Sequence, residues 1–142
     1  MKSFSRVVVK MTILCVLSAM PLVAQIDHGV DFTTSFPFYV GNTKMPAGSY
    51  RITQTETEAS ELLLIRSNNS KDSAYVDFIP TESVEPHAHS DVTFHKYGDT
   101  EYLNRIWVEG QQYGMKVDPT KAELKAALTV DAVEHSIPAQ KR

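Results

Sequence analysis

The stretch DVTFHKYGDTEYLNRIWVEG, residues 91–110, reads as two strands, 91–97 and 100–108, joined by the two-residue turn Gly98-Asp99. Glycine at the first position of such a loop suits a type II′ turn, whose backbone twist matches that of the flanking strands. The turn sets a register in which Tyr97 faces Thr100, Lys96 faces Glu101, His95 faces Tyr102, Phe94 faces Leu103, Thr93 faces Asn104 and Val92 faces Arg105. Opposite charges then meet near the tip, with an aromatic–aliphatic pair behind them, and a slip of one residue would turn every side chain to the wrong face. One face carries Val92, Phe94, Leu103 and Trp107, and the other carries His95, Tyr97, Tyr102, Ile106 and Val108. Both are substantially apolar, so the hairpin is expected to lie centrally in a β-structure.

Upstream, residues 31–40 alternate, with Phe32, Thr34, Phe36, Phe38 and Val40 on one side, a period-two signal for a strand. Pro37 cannot donate to a ladder and places that strand at an edge or a bulge. Turns follow at Gly41-Asn42 and at Met45-Pro46-Ala47-Gly48, and alternation resumes over 49–55. The run Leu62-Leu63-Leu64-Ile65 predicts a strand covered on both faces, paired with an alternating strand over 73–79. Residues 80–90 hold two prolines and little pattern. Downstream, Asp118 as N-cap and Pro119 at the first helical position predict a helix over 119–128, with Ala122, Leu124, Ala127 and Leu128 leaning on the sheet. The predicted fold is all-β, a single antiparallel β-sandwich or partly open barrel of about six to eight strands with one C-terminal helix.

Residues 1–24 combine a basic start, Lys2, Arg6 and Lys10, with an apolar stretch ending at Leu22-Val23-Ala24, the pattern of a secretory signal peptide. The apolar run is shorter than the roughly 20 residues a spanning helix needs, so no membrane span is expected after cleavage. The domain order is then a signal peptide over 1–24, a β-rich domain over 25–130 and a flexible tail over 131–142. Export, to the periplasm or the extracellular space, is the predicted localisation. Cys15, the one cysteine, lies in the leader, so the mature domain must hold by packing and hydrogen bonds without a disulfide. The full chain carries a net charge of −3, and the leader takes three of its basic residues away. That balance argues against a nucleic-acid partner, which calls for a clustered basic surface.

The combination Phe36-Pro37-Phe38-Tyr39-Val40-Gly41, Met45-Pro46-Ala47-Gly48-Ser49-Tyr50 and Val92-Thr93-Phe94-His95-Lys96-Tyr97-Gly98-Asp99 resembles a family of small exported bacterial proteins of unassigned function. The resemblance runs from about Phe32 into the predicted helix. It implies a β-rich exported fold and carries over no catalytic or binding residue.

Catalytic chemistry finds no support in the sequence. The mature chain has no cysteine, no Gly-x-Ser-x-Gly elbow and no glycine-rich phosphate loop, so no enzyme activity, no catalytic residue and no cofactor is predicted. The one candidate metal set is His87 and His89, two imidazoles at i and i+2, joined by His95 if the loop folds back. A polar loop that contains two histidines is the plainer alternative. His28 and His135 fall in ends expected to be flexible. Trp107 and the tyrosines 39, 50, 75, 97, 102 and 113 could form a ligand platform, although core and cross-strand packing is the better account of them. The expected function is that of a non-enzymatic exported domain that binds a protein or polysaccharide partner or has a structural role; the alternative is a metal-binding exported protein. Self-association through the 32–40 strand is the riskier reading, because unpaired backbone beside phenylalanines recruits other strands; the plainer one has the phenylalanines facing the core and Pro37 marking a bulge.

Overall fold

A computed structural model describes residues 29–57 and 60–142, so the signal peptide expected over 1–24 and His28 lie outside the described residues. The strands are β1 (Val30–Thr34), β2 (Phe38–Val40), β3 (Thr43–Met45), β4 (Gly48–Thr57), β5 (Ser60–Ser67), β6 (Ser73–Glu82), β7 (Asp91–Tyr97), β8 (Thr100–Trp107), β9 (Tyr113–Val117) and β10 (Val133–Lys141), with helix α1 (Lys121–Ala127) between the last two. The protein is all-β and mostly antiparallel. Hydrogen-bonded ladders run β8–β7–β10–β1–β4–β5–β6–β9 and return from β9 to β8, making a ring. Two strands are shared between its halves. β6 pairs with β5 through Asp77 and with β9 from Phe78 onward, and β10 pairs with β7 through Pro138 and with β1 from Ala139 onward. Strands that change partner midway are how two sheets are joined at a corner.

The β7–β8 hairpin forms as read from its tip: Gly98 sits at φ 60, no non-glycine residue among the described residues has positive φ, and the first four pairs match the expected register. Behind them the register shifts. Thr93 pairs with Arg105 and Val92 with Ile106, leaving Asn104 as an extra residue in a β-bulge. The regular register would have aimed Arg105 at the core beside Leu103. The bulge turns Arg105 out, brings the fully buried Ile106 in, and moves Trp107 from the expected core face to the opposite face.

The 31–40 segment is two strands, not one. β1 lies between β10 and β4, so it is not an edge, and Pro37 falls in the break before β2. Phe32 and Phe38 are buried and Phe36 packs against the core, which gives the greasy face an internal partner. β2 and β3 form a hairpin on Gly41-Asn42, attached to β8 by a parallel bridge of Tyr39 to Tyr102. The sheet is therefore not antiparallel throughout, and its strands number ten among the described residues. The Pro46-Ala47-Gly48-Ser49-Tyr50 turn is closed by the buried Tyr50, whose hydroxyl donates to the Pro46 carbonyl.

Two further expectations are corrected at the C-terminal side. Residues 133–141 form β10 instead of a flexible tail, with Val133, His135, Ile137 and Ala139 alternating on the side that meets Phe94, Val92 and Phe32. The helix starts after Thr120, whose hydroxyl accepts the Glu123 N–H at 3.1 Å, so Thr120 and not Asp118 is the N-cap. Its buried residue is Glu123, while Leu124 and Leu128 are 54% and 86% exposed. The outer face of β7 and β8 beneath it offers His95 and Tyr97, polar partners that take a carboxylate and not a leucine.

Candidate functional site

A cleft of about 620 Å³ opens where β10 leaves β1 to join β7. It is lined by Phe32, Ile137 and Pro138 and by a larger set of polar residues that includes Thr33, Asn68 and His89. The cleft exists because the β1–β10 ladder stops at Phe32–Ala139, while β1 continues along β4 as far as Thr34.

One end of the cleft is charged. Asp31 accepts from Arg51 Nε at 2.7 Å and Nη2 at 3.0 Å, and from Arg142 Nε at 2.7 Å. The Arg51 hydrogen bonds hold the Asp31 carboxyl below its ordinary range; burial opposes them and Arg142 reinforces them. Two guanidiniums share one carboxylate, which ties Arg142 to β1 and Arg51 of β4 to the same group.

A second polar cluster lies on the outer face of β7 and β8. His95 Nε2 is 3.0 Å from Glu134 Oε2 and 3.0 Å from the Asn104 amide nitrogen, and its Nδ1 is 3.6 Å from Glu123 Oε1. Tyr97 donates to Glu123 at 3.4 Å. Burial pushes the Glu123 carboxyl up, opposed by His95, Tyr97 and Lys116. These contacts fasten helix α1 to the sheet. A carboxyl with a raised folded pKa contributes stability that is complete below its unfolded value and is lost as pH rises through the folded one. Wild type should therefore gain thermal stability over Glu123→Gln as pH is lowered from neutrality down to the ordinary glutamate range. Parallel melting curves of the two proteins across that range would disprove it.

The three histidines of the candidate metal set sit in three settings. His87 stacks on Trp107, ring centroids 4.0 Å apart at 11°, with Nδ1 3.9 Å from Asp91. His89 is exposed on the cleft rim, and His95 belongs to the helix-fastening cluster. The carboxylates at the two ring nitrogens of His95 lie on opposite sides of the imidazole and do not converge. Among the described residues no group of three or more His, Cys, Asp or Glu is arranged to hold a metal ion. His135, expected to be solvated, points toward the core side of β10, bonded to the buried Glu101 at 2.7 Å and packed on Phe94 and Phe36.

Most of the aromatic set is used in packing. Tyr39 stacks on Tyr102, Tyr50 is buried, and Trp107 lies between His87 and Gly114. The cleft was not visible in the sequence, because it depends on where one strand changes partner. Pro138 was the available signal, a residue that removes a donor from whatever ladder it enters. Among the described residues no helix is long and apolar enough to cross a membrane. The chain matches no known family model, no curated protein and no solved structure.

Proposed function

We propose that this is an exported, non-enzymatic binding domain whose ligand occupies the cleft between β1 and β10. The observation that carries the reading is the cleft itself, a concave opening of about 620 Å³ lined by apolar and polar residues where β10 parts from β1. Export rests on the leader pattern of residues 1–24 and on the resemblance to small exported bacterial proteins. The framework is read as a closed barrel and not a sandwich, a reading supported by the unbroken ladder order and by the sharing of β6 and β10 between the two halves.

The test is a binding screen of short peptides and oligosaccharides against wild type and an Asn68→Ala/His89→Ala variant. Both residues are exposed on the rim, so the variant keeps its fold. Affinity for the true ligand should fall about tenfold, equivalent to about 1.4 kcal/mol. Equal affinity of both proteins for every ligand found would move the site elsewhere, and turnover of a bound compound would end the non-enzymatic reading. N-terminal sequencing of the secreted protein should begin at Gln25. An uncleaved chain retained in the cell would remove the export part.

A further inference from the structure

We infer that helix α1 is a lid over a second binding face on the outside of β7 and β8, and that Glu123 occupies there the place of a glutamate side chain from a partner peptide. This face shares no residue with the lining of the β1–β10 cleft, so the inference goes beyond the function proposed for that cleft.

The way the lid is held carries the argument. Of residues 118–132, all of them described, Glu123 alone is buried; Thr120 and Ala126 are half-buried and the others are exposed. The Leu124, Leu128, Thr129 and Val130 N–H groups all donate to carbonyls within the segment, at Thr120, Lys125 and Ala126, so those bonds travel with it. A helix this short is marginal by itself and owes its form to what it docks on. An element with few buried apolar contacts opens at a lower free energy than the core beneath it. Here the exposed flanks 118–119 and 127–132 leave the helix free to swing about one side chain.

The grip of that side chain is loose. Glu123 Oε1 is 3.4 Å from the Tyr97 hydroxyl and 3.6 Å from His95 Nδ1, whereas charge-assisted bonds settle at about 2.7–2.9 Å. Lys116 of β9 adds attraction, Glu134 of β10 sits at the other ring nitrogen of His95, and burial opposes the ionised carboxyl. A carboxylate tied to a rigid helix leaves both contacts long. One carried by a flexible peptide can close them.

Beneath the helix lie His95, Tyr97, Tyr102 and Asn104, with Tyr97 edge-on to Tyr102 at 5.9 Å and Tyr102 stacked on Tyr39 at 5.3 Å. An imidazole, an amide and phenolic hydroxyls set among packed rings is the mixture of polar groups and apolar surface that ligand sites use. The leucines of the segment, Leu124 and Leu128, are exposed, so the helix covers this face without packing an apolar stripe on it. Because the group now seated there is a glutamyl side chain, the occupant it stands for is a glutamate-bearing peptide.

The experiment titrates the labelled peptide AAEAA and its counterpart AAQAA against wild type, Glu123→Ala and Glu109→Ala by fluorescence polarisation, with trigalacturonate in parallel. Glu109→Ala removes an exposed carboxylate elsewhere and controls for net charge. Glu123→Ala should bind AAEAA about tenfold more tightly than either of the other proteins, with no gain for AAQAA, and adding His95→Ala should abolish the gain. Hydrogen exchange on wild type needs no variant to fold. Amides of 121–128 should exchange about a hundredfold faster than those of β5, and AAEAA should speed them further, the reverse of the protection a ligand ordinarily gives.

Amides of α1 that exchange as slowly as those of β5 would overturn the lid. Equal peptide affinity in Glu123→Ala and Glu109→Ala would overturn the site. A gain for trigalacturonate without one for AAEAA would replace the peptide by an acidic sugar. The cleft is tested through Asn68 and His89, so each of these failures leaves the reading of the cleft standing.

Discussion

Gly114→Ala should destabilise the protein by about 3 kcal/mol, the upper part of the range for an overpacked site. A Cβ at Gly114 would stand 2.4 Å from Trp107 Cε3 and 2.9 Å from the Ile106 carbonyl oxygen. The indole cannot step aside, because its other face is covered by His87, whose backbone bonds to Gln111 and Gly110 pin that loop in place. Nor can the Ile106 carbonyl move freely, since it belongs to the short β8–β9 ladder that completes the ring. Urea titration followed by tryptophan fluorescence reads the effect, because the probe is the residue displaced. A midpoint unchanged from wild type would show that Trp107 does not lie on Gly114. The contrasting substitution His87→Ala removes the cover without creating a clash and should cost far less.

Phe94→Ala should cost about 4 kcal/mol, in the range for truncating a buried phenylalanine. Phe94 is fully buried and meets Phe36 and Phe38 edge-on at 5.3 and 5.4 Å, with Phe32 at 6.2 Å and His135 at 5.9 Å. Its loss unseats β1, β2 and β10 together, since each sends a ring to it. The expected signature goes beyond a lower midpoint: amides of β10 should exchange with solvent faster than those of β4 and β5, whose core runs through Ile52, Leu63 and Ile65. A cost below about 1 kcal/mol would mean that the cluster repacks around the gap, contrary to a core held at close packing.

These two sites also show what the sequence could and could not display. Gly98 and Asp99 announced the hairpin because a two-residue turn with glycine first is decided by local sterics, and the pairs nearest the turn inherit its register. The bulge at Asn104 was illegible because it answers a distant demand. The core needed Ile106 in place of Arg105, and only the packed neighbours make that demand known. The Leu62–Ile65 run and the alternation of 73–79 were legible for the same reason as the hairpin, each being a pattern complete within its own segment.

The C-terminal part misled because its strongest local signals belong to weaker structure. Leu124 and Leu128 suggested an apolar helix face, yet the surface that receives the helix carries His95 and Tyr97, so Glu123 is the residue that docks. In β10 the inward set of His135, Ile137 and Ala139 has the period of a strand, but it includes an imidazole and is interrupted by a proline. The cleft follows from the change of partner of β10 at that proline, which is settled only when three strands are side by side.

The shared strand also sets an order of events for folding. Asp31 and Arg142, joined across the β1–β10 ladder, stand 111 positions apart in the chain. The hairpins of β4 to β6 and of β7 to β8 close short loops, whereas this seam closes the longest contact in the ring and must wait for both of its neighbours. Until it arrives, β1 and β7 each expose an unsatisfied flank, so the half-closed ring is the species most open to aggregation or capture by a chaperone. Refolding should accordingly show a fast phase for the local hairpins and a slower first-order one for the seam, with a yield that falls as protein concentration rises.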